Sequence, residues 1–300
     1  MENLFPKSWE KYVDEVKDLV KNKFAFAIQT DTHVDFDNSS GKNWSDIDVG
    51  HNVRIFAEKT GLDFFANLGD MIEGYPRDTT EDMKKDMKEL VRRYTEGAKC
   101  PVLTAIGNHD NNHMWAEKND GEEISYSELL ENIIHPIKAT SDKFVFSGNV
   151  AYYYIDFDKV RVIVLNSQDM DNTTSEFIIR EKQIEWFKNE ALHTDKAVIV
   201  MCHTPLLDSL TDNKVINSEK ILEALYEFKN SGKTVIGGFY GHNHEQKHIV
   251  ENGVLHIGFE KLGTRAEVVI VDIENKKIIT KAIGDVEKYD ATIVDREFEF

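Results

Sequence analysis

Five apolar runs in this sequence stop at an aspartate or a histidine. Residues 24–29 lead into Asp31-Thr32-His33, 63–68 into Gly69-Asp70, 101–106 into Gly107-Asn108-His109-Asp110, 197–202 into His203, and 234–240 into Gly241-His242-Asn243-His244. Short apolar runs bounded by turn residues read as buried strands. Gly107-Asn108-His109-Asp110 alone reads equally well as a polar turn. A lone Asp-x-His or His-x-His pair is more often a surface accident than a site. Repetition at five strand ends is harder to dismiss, because chains gather costly polar groups at one edge when something there satisfies them.

The segments between the runs say how the strand ends meet. Trp9, Tyr12, Val13, Val16, Leu19 and Val20 recur at helical spacing, which predicts an amphipathic helix capped by Ser8. A helix over 46–60 closed by Gly61 is expected, then one capped by Thr79 or Thr80 and closed by Gly97. The resulting β-α-β-α-β alternation predicts a parallel sheet with right-handed crossovers, and sites in such sheets form beyond the C-terminal strand ends. Further on, Ser125 and Glu128 form a capping box opening a helix to about Ile134. A hairpin at Asp158-Lys159, a helix over 180–193 and a helix capped by Ser218 follow, with hairpins at Glu251-Asn252-Gly253 and near Glu274-Asn275. The class is α/β, richer in antiparallel pairs in its second half. Without repeats or a convincing linker, residues 1–300 are expected to be one domain, with 1–22 as an N-terminal amphipathic helix and 261–300 as C-terminal strands.

Composition narrows the partners. A formal net charge of −18 argues against nucleic acid or an anionic membrane as a partner held by general electrostatics. Cys100 and Cys202 read as two buried thiols. No run has the form of a signal peptide or the length to span a bilayer, so a cytoplasmic protein is expected. Nothing in the composition sets an oligomeric state.

Aspartate, histidine and asparagine together suit hard or borderline divalent ions, and Mn, Fe, Zn, Ni and Co all accept such donors. Asp31 and His33 are two apart and would share a face in an extended terminus, as would His242 and His244. The order Asp31-x-His33, Gly69-Asp70-x-x-Glu73, Gly107-Asn108-His109-Asp110, His203, Gly241-His242-x-His244 resembles the calcineurin-like metallophosphoesterase superfamily over roughly residues 24 to 260. The resemblance implies a sandwich of two mixed β-sheets flanked by helices, four layers in all. It implies one divalent ion held by Asp31, His33, Asp70 and His244, and a second held by Asp70, Asn108, His203 and His242, with Asp70 bridging. It places His109 outside the ion ligands, facing substrate.

The chemistry implied is hydrolysis of a phosphoester. Two ions about 3.5–4 Å apart share a hydroxide near neutral pH and neutralise phosphoryl oxygens while it attacks in line. His109 would stabilise charge or protonate the leaving oxygen. A bridge needs two carboxylate oxygens, hence Asp70, while Asn108 donates a neutral one. Protein Ser/Thr phosphatases of the superfamily usually carry Asp-Arg where this chain has Glu73-Gly74, and purple acid phosphatases a tyrosine ligand where it has Glu73. Phosphoprotein specificity and an Fe(III)–tyrosinate site are therefore not expected. Glu73 is expected either to orient His109, as the Asp does in relatives, or to be a plain helix-start carboxylate.

No ligand position is lost, which favours an enzyme over a scaffold on the same fold. A small phosphodiester is the favoured substrate, with a phosphomonoesterase or a nuclease as alternatives. Near the motifs the basic residues are few, namely Arg77, Lys118 and Arg180, each expected to face solvent. His51, His113 and His135, with Tyr75 and Trp115, are weaker candidates for a place near the site. His193, His248 and His256 are expected to be structural or exposed.

Overall fold

The computed structural model describes residues 5–36, 48–74, 79–113, 116, 122–169, 177–261, 265–284 and 295–300. Three parallel strands carry the first half: β1 (Phe24–Gln29), β2 (Phe64–Asn67) and β3 (Val102–Thr104). Between them run α2 (Val49–Thr60) and α3 (Thr80–Thr95), after the N-terminal helix α1 (Lys7–Leu19). Gly61 ends α2 in the left-handed region, at φ 75°. Thr79 caps α3, its hydroxyl accepting from the Asp82 amide. α1 starts one residue before Ser8, with Pro6 at the cap position; a proline's fixed φ enters a helix without a side-chain hydrogen bond.

The later strands are β4 (Phe144–Phe146), β5 (Tyr153–Asp156), β6 (Val160–Val164), β7 (Ala197–Cys202), β8 (Val235–Tyr240), β9 (Lys247–Glu251), β10 (Val254–Gly258), β11 (Arg265–Asp272), β12 (Lys277–Gly284) and β13 (Arg296–Glu299). Six of the strands form one sheet in the order β13-β12-β11-β1-β2-β3, and seven the other, β4-β5-β6-β7-β8-β10-β9. Both sheets mix parallel and antiparallel pairs. β4 has no counterpart in the sequence pattern, since three residues are too few to show alternation. The Ser125 capping box forms, but the helix it opens runs beyond Ile134. It passes through a π-helical turn (Leu130–Ile134) into His135–Lys138, where Pro136 sits in the first turn and its missing N–H costs little. Likewise Glu181–Trp186 continues as a π-helical turn, Phe187–Ala191, and Asn217 rather than Ser218 precedes the helix Ser218–Asn230.

Side-chain alternation along the strands makes the layers. Val162, Val164, Ile199 and Met201 belong to a core shared with the first sheet and α1 to α3. Their neighbours Ile163, Val198 and Val200 belong to a second core with Ile184, Phe187, Ile221 and Leu225 of the later helices. Between the sheets, the Phe26 ring stacks on Phe64 at 4.6 Å and meets Phe239 edge-on at 5.7 Å. Cys100 and Cys202 are both buried and unbridged. Among the described residues, no helix is long and apolar enough to cross a membrane.

β3 lies at the edge of the first sheet, where outward-facing backbone groups need partners. Side chains supply them. The Thr140 hydroxyl accepts from the Val102 amide at 3.0 Å. The Tyr153 hydroxyl, from the other sheet, accepts from the Thr104 amide at 2.8 Å and donates to the Thr104 carbonyl at 3.0 Å. Tyr153→Phe keeps the ring and strands two buried backbone groups. It should lower the unfolding free energy by about 1–3 kcal/mol in urea denaturation, and an unchanged midpoint would show that water replaces the hydroxyl freely.

Candidate metal centre

At the ends of β1, β2 and β8 the chain turns in a way few residues tolerate. Asp31, His33, Asp70, His242 and His244 all take left-handed backbone conformations, with φ of 54°, 45°, 50°, 74° and 55°. Such angles are uncommon outside glycine and persist where the surroundings enforce them. The extended ends expected from the two-residue spacing are thus replaced by tight turns that fold each ligand-type side chain back over the strand ends. Hydrogen bonds hold these turns: the Asp31 amide donates to the Gly69 carbonyl, the His33 amide to the Asp70 carbonyl, and the His242 amide to the Asp31 carboxylate, at 3.0 Å each.

Two glycines permit this crowding. A Cβ on Gly107 would lie 2.1 Å from Asp70 Oδ1, and one on Gly241 would lie 2.6 Å from Asp31 Oδ2. Asp110, given no role by the sequence, locks the same turns together. Its carboxylate accepts from the Met71 amide at 2.7 Å and the Gly107 amide at 2.8 Å. Burial, with Asp70 nearby, pushes that carboxyl up to about 7.

The side chains converge in two groups. Asp31, His33 and His244 each place a donor atom within 4.8 Å of the others, as do Asp70, His203 and His242. Asp70 Oδ2 lies 3.2 Å from His203 Nε2 and 3.8 Å from His33 Nε2, so it faces both groups. Asn108 Oδ1 is 3.1 Å from His203 Nε2. All seven residues singled out as ligand candidates therefore meet.

His109 stands beside them, its ring 4.5 Å from His33 and its amide donating to Asp70 Oδ1 at 2.8 Å. Glu73 departs from its expected part. Its amide donates to the Val34 carbonyl, and that pairing lays its side chain next to His33, with Oε2 3.0 Å from His33 Nδ1. The His109 Nδ1 contact, 2.5 Å, goes to the Glu73 backbone carbonyl instead. The Glu73 carboxylate thus lies against His33, and its main-chain carbonyl holds His109.

The donors suit cations. Asp31 and Asp70 are 0% and 1% exposed, and among the described residues their ionic partners are histidines, with no lysine or arginine within reach. Burial raises the Asp31 carboxyl, but the hydrogen bond from His244 and the charge of His203 outweigh it and hold it at about 2. Burial works against charge on His203 too, yet Asp70 and Asp31 push it up to about 9. The two buried carboxylates thus favour positive charge beside them. His242 Nδ1, also buried, has no hydrogen-bond partner. Buried acceptors of this kind are what divalent ions satisfy.

A family model described as calcineurin-like phosphoesterase matches residues 24–246. The chain belongs to that family. It is a metal-dependent phosphoester hydrolase, and membership implies two divalent ions. Among solved structures, a dimetal phosphatase from Danio rerio superposes with a TM-score of 0.67 at 14% identity, over 92% of this chain and 98% of that one. A purple acid phosphatase from yellow lupin (Lupinus luteus) seeds gives 0.57 at 13% identity, over 92% and 53%. GAP50, the anchor in the inner membrane complex of Plasmodium, gives 0.52 at 17% identity, over 92% and 89%. These likenesses show the fold, the two-sheet sandwich. By sequence, the chain matches no curated protein.

Other expectations fare variously in this phosphoesterase. Arg180 does not face solvent alone: its Nε donates to the Asp169 carbonyl at 2.6 Å. His51 contacts Arg54, His113 pairs with Glu123 at 2.6 Å, and His135 meets Asn149. His256 is buried against the Tyr240 hydroxyl, His193 is exposed, and His248 packs on Phe298. Tyr75, Arg77, Trp115 and Lys118 lie outside the described residues. Two residues near the centre escaped the sequence reading, Asn213 and Phe177, which contact His242 at 2.9 Å and 5.1 Å. Neither belongs to a strand-end motif, so no spacing marks them.

Asp70→Asn should lower the content of both ions measured by elemental analysis, because one shared oxygen becomes an amide. Chelation of the unsubstituted protein should lower its melting temperature, since ions bound to the native state stabilise it by linkage. Full occupancy in Asp70→Asn would show that Asp70 does not serve both groups.

Proposed function

We propose that this phosphoesterase hydrolyses a small phosphodiester at a two-ion centre, with His109 acting on the substrate. One ion is held by Asp31, His33, Asp70 and His244, the other by Asp70, Asn108, His203 and His242. The observation that carries the reading is the position of Asp70 between two donor groups, with His109 beside both. Two divalent ions there would supply Lewis acidity, lowering the pKa of water towards neutrality and neutralising charge on a phosphoryl group. Manganese, iron, zinc, nickel and cobalt all suit the donors.

The protein's own part is positioning and proton supply. The His109 contact with the Glu73 carbonyl requires a proton on Nδ1, so the chemistry falls to Nε2. From there the imidazolium can donate to the leaving oxygen or stabilise charge on the phosphoryl group. The Glu73 carboxylate keeps His33 facing inward, and the Leu68 carbonyl does the same for His203 Nδ1 at 2.8 Å. A diester carries one charge where a monoester carries two, and among the described residues Arg180, the basic residue near the motifs, is engaged by Asp169. The monoester reading has one observation in its favour: the Lys261 charge is close enough to act on His33 and Glu73. A net charge of −18 supports a small-molecule partner over nucleic acid. The unbridged thiols suit a reducing, cytoplasmic setting. Residues 1–300 are read as one unit, as α1 packs on β12 and β13 pairs with it.

His109→Asn should lower kcat by about 10²–10⁴ while leaving ion content intact, the usual scale for losing a positioned acid or base. His203→Asn should lose or weaken one ion; equal ion loss in both variants would make His109 a ligand. Matched aryl monoester and diester substrates, assayed with Mn²⁺, decide the ester. A monoester preference above about tenfold in kcat/KM, roughly 1.4 kcal/mol in transition-state binding, overturns the diester reading and leaves the metal centre standing.

A further inference from the structure

Two imidazoles of the centre share one arrangement. His33 gives one ring nitrogen to the Glu73 carboxylate and turns Nε2 inward, and His203 gives Nδ1 to the Leu68 carbonyl and turns Nε2 inward. Such outer partners fix which nitrogen carries the proton and which carries the lone pair. In His242 the roles of the nitrogens are exchanged. Nε2 lies 2.9 Å from the side-chain amide of Asn213, and Nδ1 is buried with no hydrogen-bond partner among the described residues.

An amide presents nitrogen at one end and oxygen at the other, and a half turn exchanges them. With the nitrogen of Asn213 facing Nε2, that atom holds a lone pair and the proton must sit on Nδ1, a buried donor with nothing to receive it. With the oxygen facing Nε2, that atom is an N–H donor, and Nδ1 offers its lone pair to the group it forms with Asp70 and His203. An unsatisfied buried donor costs about 1–3 kcal/mol, whereas a lone pair facing a cation is a ligand.

We infer that Asn213 is a positioning residue: its amide oxygen accepts from His242 Nε2–H and makes Nδ1 the nitrogen that binds the ion shared with Asp70 and His203. The inference rests on the two-ion reading and adds a residue to it. The surroundings pin the same geometry. The Asn213 backbone N–H donates to Thr211 Oγ1 at 3.0 Å, and the Asn243 side chain donates to the Leu210 carbonyl, tying this loop to the His242 turn. The Phe177 ring meets the His242 ring edge-on at 5.1 Å, and the His242 amide is held by Asp31. Asn213 is itself exposed, so its replacement leaves the core untouched.

The experiment is a calorimetric titration of metal-free protein with Mn²⁺, beside melting curves of the metal-free variants. Asn213→Ala should weaken one of the two ions by about 10–100-fold, the usual cost of losing an outer partner, and leave the other ion and the metal-free melting temperature unchanged. Asn213→Asp keeps an acceptor oxygen and should recover most of the lost affinity. In the Zn²⁺-loaded protein, two-bond ¹H–¹⁵N correlations should show His242 protonated at Nε2. Wild-type affinity for both ions in Asn213→Ala, an Asn213→Asp as weak as the alanine variant, or a proton on His242 Nδ1 each overturns the inference. Failure of the unsubstituted protein to bind a second ion would instead bring down the two-ion reading, and this inference with it.

Discussion

Asp31 and Asp70 stand at the ends of adjacent parallel strands with their carboxylates out of water and, among the described residues, no lysine or arginine paired with them. Taking a carboxylate from water costs several kcal/mol even after the protein relaxes, and here two are withdrawn side by side. The architecture around them follows from that cost. Backbone amides of neighbouring turns point at the oxygens, glycines at 107 and 241 let the chains come close enough, and imidazoles fill the remaining approaches. The left-handed turns are the geometric expression of the same demand, since only a sharp reversal returns the side chain over its own strand end.

The imidazoles are governed from outside as much as from within. Glu73 serves two of them with different parts of itself, the carboxylate on His33 and the main-chain carbonyl on His109. A substitution that spares the backbone therefore acts on the metal side of the centre while leaving the His109 contact in place. On the proposed reading, the division separates the side that would hold ions from the side that would meet substrate, although both begin at one residue.

Residue identity was legible in the sequence because strand ends are: an apolar run followed by Gly and then Asp, Asn or His survives in one dimension, and the strands at Phe24–Gln29 and Ala197–Cys202 stand where that pattern puts them. The family order supplied the rest of the candidate ligands. What sequence could not carry was direction. The two-residue spacing of Asp31 and His33 suggested an extended terminus, while positive φ at both positions achieves the same convergence by turning. The partner of the Glu73 side chain depends on a backbone pairing with Val34, thirty-nine residues away. Asn213 sits in an irregular loop, and Arg180 finds its carbonyl through the fold of its own segment. Contacts between distant loops leave no periodicity to read. The π-helical turns at Leu130–Ile134 and Phe187–Ala191 are similar: an extra residue in a helical turn hardly disturbs an apolar stripe.

The two sheets contribute unequally to the centre, and the division has a consequence for how the chain assembles. Asp31, His33, Asp70 and Asn108 follow β1, β2 and β3 of one sheet, whereas His203, His242 and His244 follow β7 and β8 of the other. Neither half offers a complete set of donors alone, and the stretch from Asn108 to His203 separates the halves along the chain. Closing such distant contacts is the slow part of folding for a topology of this kind. The centre therefore exists only where the two sheets are joined. An ion held there works as a rivet through the sandwich, and its tenure reports whether the two halves are joined.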